Sequence, residues 1–313
     1  MFYAPLSTLA QSDGLVNGIP LFQMIDGDVF YVDSGGSGQQ ADGSFNKPLA
    51  TIDAAINKCT AGNNDHIFVK SGHTETLSNA TSLNCDLADV AIIGLGHGDQ
   101  RPVITMGTVV GTTIPVSAAN IMFKNIVFSA DLSDVSACFT LTSAPSFTCI
   151  DCEFTQTGSG VNFVLIANTS TVDNSEDDLT FSNCKWVDMD TSTGSLIDIN
   201  GDLNRLTVLD CYIALGINSD LPAIAVVSTG KDVPNVNIQR NFTYRLETSG
   251  AVCLITMDTT TTNDGFVVGN DCRHADTAGE ILITTTTEIM FYENYASGVA
   301  GADGYLLPAA DSG

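Results

Sequence analysis

Eight residues, Leu206-Thr207-Val208-Leu209-Asp210-Cys211-Tyr212-Ile213, restrict what this chain can fold into more than any other stretch, because their pattern returns along most of its length. The order is apolar, any, apolar, any, polar, small, any, apolar. It recurs as Leu179 to Trp186, Phe147 to Phe154 and Ile121 to Phe128, with an earlier copy at Val90-Ala91-Ile92-Ile93-Gly94. Weaker copies follow: Val236 and Ile238 before Arg240-Asn241, Phe266 and Val268 before Asn270-Asp271, Ile289 and Phe291 before Glu293-Asn294. The mean spacing is about 28 residues, and alternation at such a period means stacked β units.

A second apolar strand recurs between the copies, at Phe139 to Leu141, Phe163 to Ile166, Leu196 to Ile199, Ala223 to Val227, Val252 to Ile255, Ile281 to Ile283 and Tyr305 to Leu307. No helix fits between these strands, which excludes a leucine-rich repeat. The architecture expected is all-β, a right-handed single-stranded parallel β-helix whose coils bury like positions against one another. With strands about 4.8 Å apart, roughly nine coils from Ile67 onward make a rod on the order of 43 Å long. Cys152, Cys184 and Cys211 should then lie above one another at an inward bend. The residues before that bend, Asn125, Asp151, Asn183, Asp210 and Asn270, should be its turn formers.

The chain divides into an extended N-terminal arm over residues 1–27, a lead-in over 28–66, and the β-helix over 67–313. The lead-in holds the strand Asp28 to Asp33, a Gly-rich loop from Ser34 to Gly43, and a short helix from Thr51 to Cys59. That loop lacks the Lys-Ser/Thr ending of a phosphate-binding loop. Ile52, Ala55, Ile56 and Cys59 share one helical face, so the helix is expected to seal the first coil.

Lys and Arg total 11 against 36 Asp and Glu, a net charge of −25. Such a surface repels phosphate backbones and anionic lipid, which argues against nucleic-acid and membrane partners. No run approaches the roughly 18 apolar residues of a membrane span, and the first residues carry no basic start of a signal peptide. Nine cysteines, several at strand core positions, do not suggest a disulfide framework. Cys149 and Cys152 have C-x-x-C spacing without a second pair or a suitably placed His, so neither zinc nor redox work is assigned to them.

The order Phe30-Tyr31-Val32-Asp33, Gly-rich loop, Pro48 to Ile56, then Ile67-Phe68-Val69-Lys70-Ser71-Gly72-His73-Thr74-Glu75 resembles the start of the pectate-lyase-like β-helix superfamily. Gly72-His73-Thr74-Glu75 with Val90 to Gly96 and Arg101-Pro102 is similar to virion proteins of tailed bacteriophages. The resemblance runs from Val29 over most of the chain. It implies a homotrimer that serves as a capsid decoration or cement protein, or as a tailspike or fibre contacting a surface glycan. The decoration role is expected here, on the capsid surface, with the arm bound to the major capsid protein and synthesis in the host cytoplasm.

Enzymes of this fold cleave polysaccharides, and a hydrolase of the polygalacturonase type needs facing carboxylates, with a paired Asp motif preceding a Gly-His-Gly. Gly96-His97-Gly98 and Glu176-Asp177-Asp178 stand in reversed order, about three coils or on the order of 14 Å apart. A pectate lyase would need a Ca²⁺ cluster and a base, usually Arg, on one face; of the five Arg, Arg101 sits beside a proline in an early turn with no acidic cluster beside it in sequence. Asp188, Asp190 and Asp198 could meet across turns and hold Ca²⁺. The lone Trp186 and scattered Tyr residues make a poor sugar platform. The expectation is therefore a chain that is not an enzyme, with no catalytic residues, no metal site and no cofactor; a polysaccharide lyase or hydrolase is the weaker alternative.

Overall fold

The computed structural model describes residues 15–16, 19–20, 26–35, 40–107, 109, 111–158, 160–187, 195–215, 224–226, 231–245, 255–256, 264–274, 288–297 and 305–307. Within them the chain is an all-β parallel β-solenoid of three sheets. Sheet I takes its strands in chain order: Val29–Val32, Asp65–Val69, Val90–Gly94, Ile121–Lys124, Thr148–Ile150, Leu179–Ser182, Leu206–Leu209, Val236–Gln239, Asp264–Val268 and Glu288–Tyr292. Sheet II follows it around the first corner, with Thr74–Leu77, Val103–Met106, Val127–Ala130, Glu153–Gln156, Lys185–Val187, Tyr212–Leu215, Phe242–Arg245, Asp271–His274 and Asn294–Ser297. Sheet III holds Ile114–Val116, Phe139–Leu141, Ala167–Asn168, Ile197–Ile199, Ile224–Val226 and Ile255–Thr256. From the second coil on, each of these strands pairs in parallel with its counterpart one coil earlier, so like positions of successive coils lie side by side.

Alternation decides what fills the rod. Leu206 and Val208 point inward and are buried, while Thr207 and Leu209 face out. Val208 lies between Phe181 and Ile238 of the adjoining coils. Part of the core is an aromatic cluster: Phe123 packs 5.2 Å from Phe139, and Phe128 stacks on Phe154 at 5.5 Å. Each such side chain contributes about 1.5–3 kcal/mol of burial. The lone Trp186 is core as well, 1% exposed.

Both edges of sheet I are made by residues in the left-handed region. After the seven strands from Ile121–Lys124 onward come Asn125, Asp151, Asn183, Asp210, Arg240, Gly269 and Glu293, with φ from 51° to 66°. Before the seven strands from Asp65–Val69 to Val236–Gln239 come Asn64, Asp89, Asn120, Ser146, Asp178, Arg205 and Asn235, with φ from 54° to 67°. Asn and Asp suit these corners because their short side chains bond neighbouring backbone. Asn125 shows it, donating from Nδ2 to the Gly94 carbonyl at 2.8 Å.

The inward bend after the first corner carries the expected cysteine ladder, with Cys184 Sγ 3.5 Å from the Cys149 carbonyl and Cys211 Sγ 3.7 Å from that of Phe181. One coil later the ladder changes chemistry. Asn241, Asn270 and Asn294 continue the column, all buried. Asn241 Nδ2 donates to the Val208 carbonyl at 2.9 Å, while its Oδ1 accepts from the Cys211 amide at 2.9 Å. Asn270 repeats the arrangement with Ile238 and the Asn241 amide.

This corrects the sequence register in one coil. Asn270 belongs to the inward ladder and Gly269 is the turn residue; Val267 is buried while Phe266 and Val268 face out. The cause is Gly265, which pairs with Val236 at φ 121°, where a Cβ would lie 2.1 Å from the Val236 carbonyl oxygen. The inward position beside Val236 therefore holds no side chain, and the apolar pattern appears displaced by one.

Other boundaries move too. The parallel stack begins at Val29–Val32, which pairs with Asp65–Val69, a rung before Ile67. Phe163 and Ile166 are buried, but the sheet III strand of that coil is Ala167–Asn168; Phe163 forms only a bridge with Val135. Tyr305–Leu307 does not continue sheet III: it runs antiparallel on Asn294–Ser297, so the chain reverses and covers the last edge of sheet II. Residues 281–283 lie outside the described residues. So does most of the 1–27 arm, in which Leu15–Val16 pairs antiparallel with Ile19–Pro20.

Helix α1, Ile52–Ile56, starts at Thr51, whose side chain accepts from the Ala54 amide at 3.2 Å. Its buried Ile52, Ala55 and Ile56 join the core beside the first two strands of sheet I.

Candidate functional site

The residues singled out from the sequence scatter over the rod. His97 is exposed at the corner between sheets I and II, preceding a 3-10 turn over Gly98–Gln100. Glu176, Asp177 and Asp178 sit at the opposite edge of sheet I, just before Leu179–Ser182. Each of the three does structural work. Glu176 is 2% exposed and accepts from the Ser143 amide at 3.0 Å, Asp177 accepts from the Asn204 amide at 2.8 Å, and Asp178 is held by Arg205. His97 and these acids are therefore not brought together.

Asp198 faces outward on sheet III between Asn168 and Ala225. Its Oδ1 is buried without a hydrogen-bond partner, and burial pushes its carboxyl up to about 6. Asp188 and Asp190, its supposed companions, lie outside the described residues. Among the described residues no group of three His, Cys, Asp or Glu side chains is placed to hold a metal ion. Cys149 and Cys152 are buried, and burial pushes the Cys149 thiol up to about 11, away from the thiolate that metal or redox chemistry needs.

Two arrangements escaped the sequence reading. The first lies on sheet II and its corner. Glu153 accepts from the Arg101 guanidinium, Arg101 Nη1 reaches the Asp151 carbonyl at 3.4 Å, and Lys185 Nζ stands 3.4 Å from Glu153 Oε1. Glu153 and Lys185 are register partners one coil apart, while Arg101 bridges the intervening Val127 rung. Only the solenoid register brings together residues 52 apart in sequence. Two cations on one carboxylate give this partly exposed surface a local positive excess, suited to carboxylate or hydroxyl-rich ligands.

The second arrangement is buried under the first rungs. His73 is fully buried; its Nδ1 accepts from the Ser34 amide at 2.8 Å, and its Nε2 lies 3.3 Å from Glu75 Oε2. The first bond places the imidazole proton on Nε2, facing Glu75. Glu75 Oε2 also accepts from the Ile52 amide at 3.0 Å, in the first turn of α1. One His-Glu pair thus ties the Gly-rich loop, the helix and sheet II together.

No family model matches this chain, and no curated protein matches it. Solved structures do. Pectate lyase Pel9A aligns with a TM-score of 0.52 at 10% identity, over 89% of this chain and 72% of its own. A rhamnogalacturonan lyase aligns at 0.44 and 12% identity, over 84% and 87%. ORF18 of Geobacillus virus E2 aligns at 0.35 and 13% identity, over 89% and 62%.

The expectation that the chain is not an enzyme is corrected here. Its fold is shared with a pectate lyase. One of its grounds changes too, since Arg101, which has no acidic cluster beside it in sequence, has Glu153 beside it in the structure. What the likeness shows at this identity is the fold: an all-β parallel β-solenoid of the pectate-lyase type.

Proposed function

We propose that this chain is a structural component of a tailed-bacteriophage virion, displayed on the capsid as a trimeric decoration or cement protein. The observation that carries the reading is the Ser34–His73–Glu75–Ile52 tie. His73 and Glu75 belong to the same short segment, Gly72-His73-Thr74-Glu75, that is similar to phage virion proteins, so the similarity falls on a built structural unit. The acidic exterior supports the reading, since it keeps closely packed copies soluble and away from nucleic acid. Residues 1–27 are the capsid anchor and the protein is made in the host cytoplasm. Deleting residues 1–27 tests this: the truncated protein should remain soluble and leave particles undecorated, and full occupancy on particles would overturn the anchoring role.

A second reading, a spike that binds or processes host-surface polysaccharide, is favoured by the Arg101–Glu153–Lys185 row. Incubation with acidic and neutral bacterial polysaccharides separates the two. Unsaturated or reducing ends that vanish in Arg101→Ala would establish the second.

A further inference from the structure

Sheet I has two outward columns of side chains, fixed by the register. One runs His66, Ala91, Met122, Thr148, Thr180, Thr207, Asn237, Phe266, Met290, and the other Phe68, Ile93, Lys124, Ile150, Ser182, Leu209, Gln239, Val268, Tyr292. Neither contains an aspartate or glutamate, in a chain with 36 of them. The acids stand instead along the two borders of the face: Asp89 and Asp178 at the corner before the strands, Asp264 and its partner Glu288 as the first residues of the last two strands, and Asp151, Asp210 and Glu293 at the corner after them. Sheet II carries Glu153 and Asp271 in one outward column, and sheet III carries Asp198. Apolar side chains are open to solvent at the far end of the face: Phe266 is 43% exposed, Met290 59% and Tyr292 48%. Lys124, the one Lys or Arg in the two columns, leans on Asp151 at 3.9 Å.

We propose that the outward face of sheet I is where a second copy of this chain docks. Charge selects the occupant. A copy carrying the same net −25 is repelled wherever acids face acids, and a face without them lets like molecules meet. A basic partner would be drawn to the acidic corners and would gain nothing from an uncharged stripe. The stripe of Thr, Ile, Leu, Met and Phe between charged borders has the apolar centre and polar rim of a protein interface. A self-contact built this way closes by rotation and leaves no sticky surface exposed. This deepens the oligomer of the proposed virion protein by naming its contact face, and the contact is testable without particles.

Light scattering on the purified full-length chain at several concentrations should give a mass that is a multiple of the single chain. Phe266→Glu and Thr207→Glu place an acid in the face at two separate rungs. Both should drop to the single-chain mass while keeping the circular dichroism of the folded protein, and Tyr212→Glu on sheet II should keep the oligomer. A wild-type protein that is a single chain, an oligomer that persists in both folded variants, or dissociation by Tyr212→Glu would overturn the proposal. Particle content is read separately, so a chain that self-associates through sheet I yet is missing from virions would sink the virion reading alone.

Discussion

Arg240 occupies a left-handed corner, φ 52°, and grips Asp210 in the same corner one coil earlier through Nε at 2.7 Å and Nη2 at 2.8 Å. Arg205 grips Asp178 in the same way at the other edge of sheet I. Long cations stand where Asn and Asp usually do, and each is steadied by the carboxylate beneath it. Arg240 holds the Asp210 carboxyl below its ordinary range. A carboxyl depressed in the folded state stabilises above its unfolded pKa, and that contribution disappears as pH falls through the folded value. Wild type should therefore melt above Asp210→Asn near neutral pH, with the gap closing toward about pH 2, below the ordinary carboxylate value. The gap should be small, since both side chains are about half exposed and water screens the pair. A gap that widened on acidification would contradict the pairing.

Val208 has no exposure and lies between Phe181 and Ile238. Val208→Asp places an unpaired carboxylate between two coils, at a cost of several kcal/mol. Thermal unfolding should shift far down or the protein should not fold. A variant melting like wild type would mean that Val208 does not point inward and that the repeat register is wrong.

The asparagine ladder should behave unlike the cysteine ladder above it. Asn270→Ala removes acceptors from the Asn241 amide and Nδ2 and a donor from the Ile238 carbonyl, all buried. Leaving such groups unpaired costs about 1–3 kcal/mol. Cys184→Ala, which removes only a weak thiol contact, should cost less in the same urea titration. Equal losses would show that the asparagines are not satisfying the backbone.

Sheet I was legible in the sequence because apolar residues alternate there and a turn former follows the strands from Ile121–Lys124 onward. The single slip came at Gly265, where the inward position has no side chain for the pattern to register. The Asn120, Ser146 and Asp178 edge was harder to see, because no small residue follows it. Tyr305–Leu307 misled since an apolar strand reads the same in either direction. The Arg101–Glu153–Lys185 row could not be read at all: its members are neighbours only once loops of unequal length have been wound into coils.

His73 offers a test of the lead-in. His73→Phe keeps the volume but strands the Ser34 amide and takes from Glu75 its buried neighbour. Hydrogen exchange should quicken first at Ser34 and then along α1, whose first amide Glu75 holds, while Leu206–Leu209 stays protected. Unchanged exchange at Ser34 and Ile52 would show that the tie does not hold the lead-in.

The central claim, that this solenoid is a virion part, is tested most directly by cryo-electron microscopy of particles purified from lysates in which the chain is made. The expected image is a rod on the order of 43 Å long, with rungs about 4.8 Å apart, at fixed positions on the capsid and full stoichiometry. Intact particles that lack the chain, while it accumulates free in the same lysate, would contradict the account.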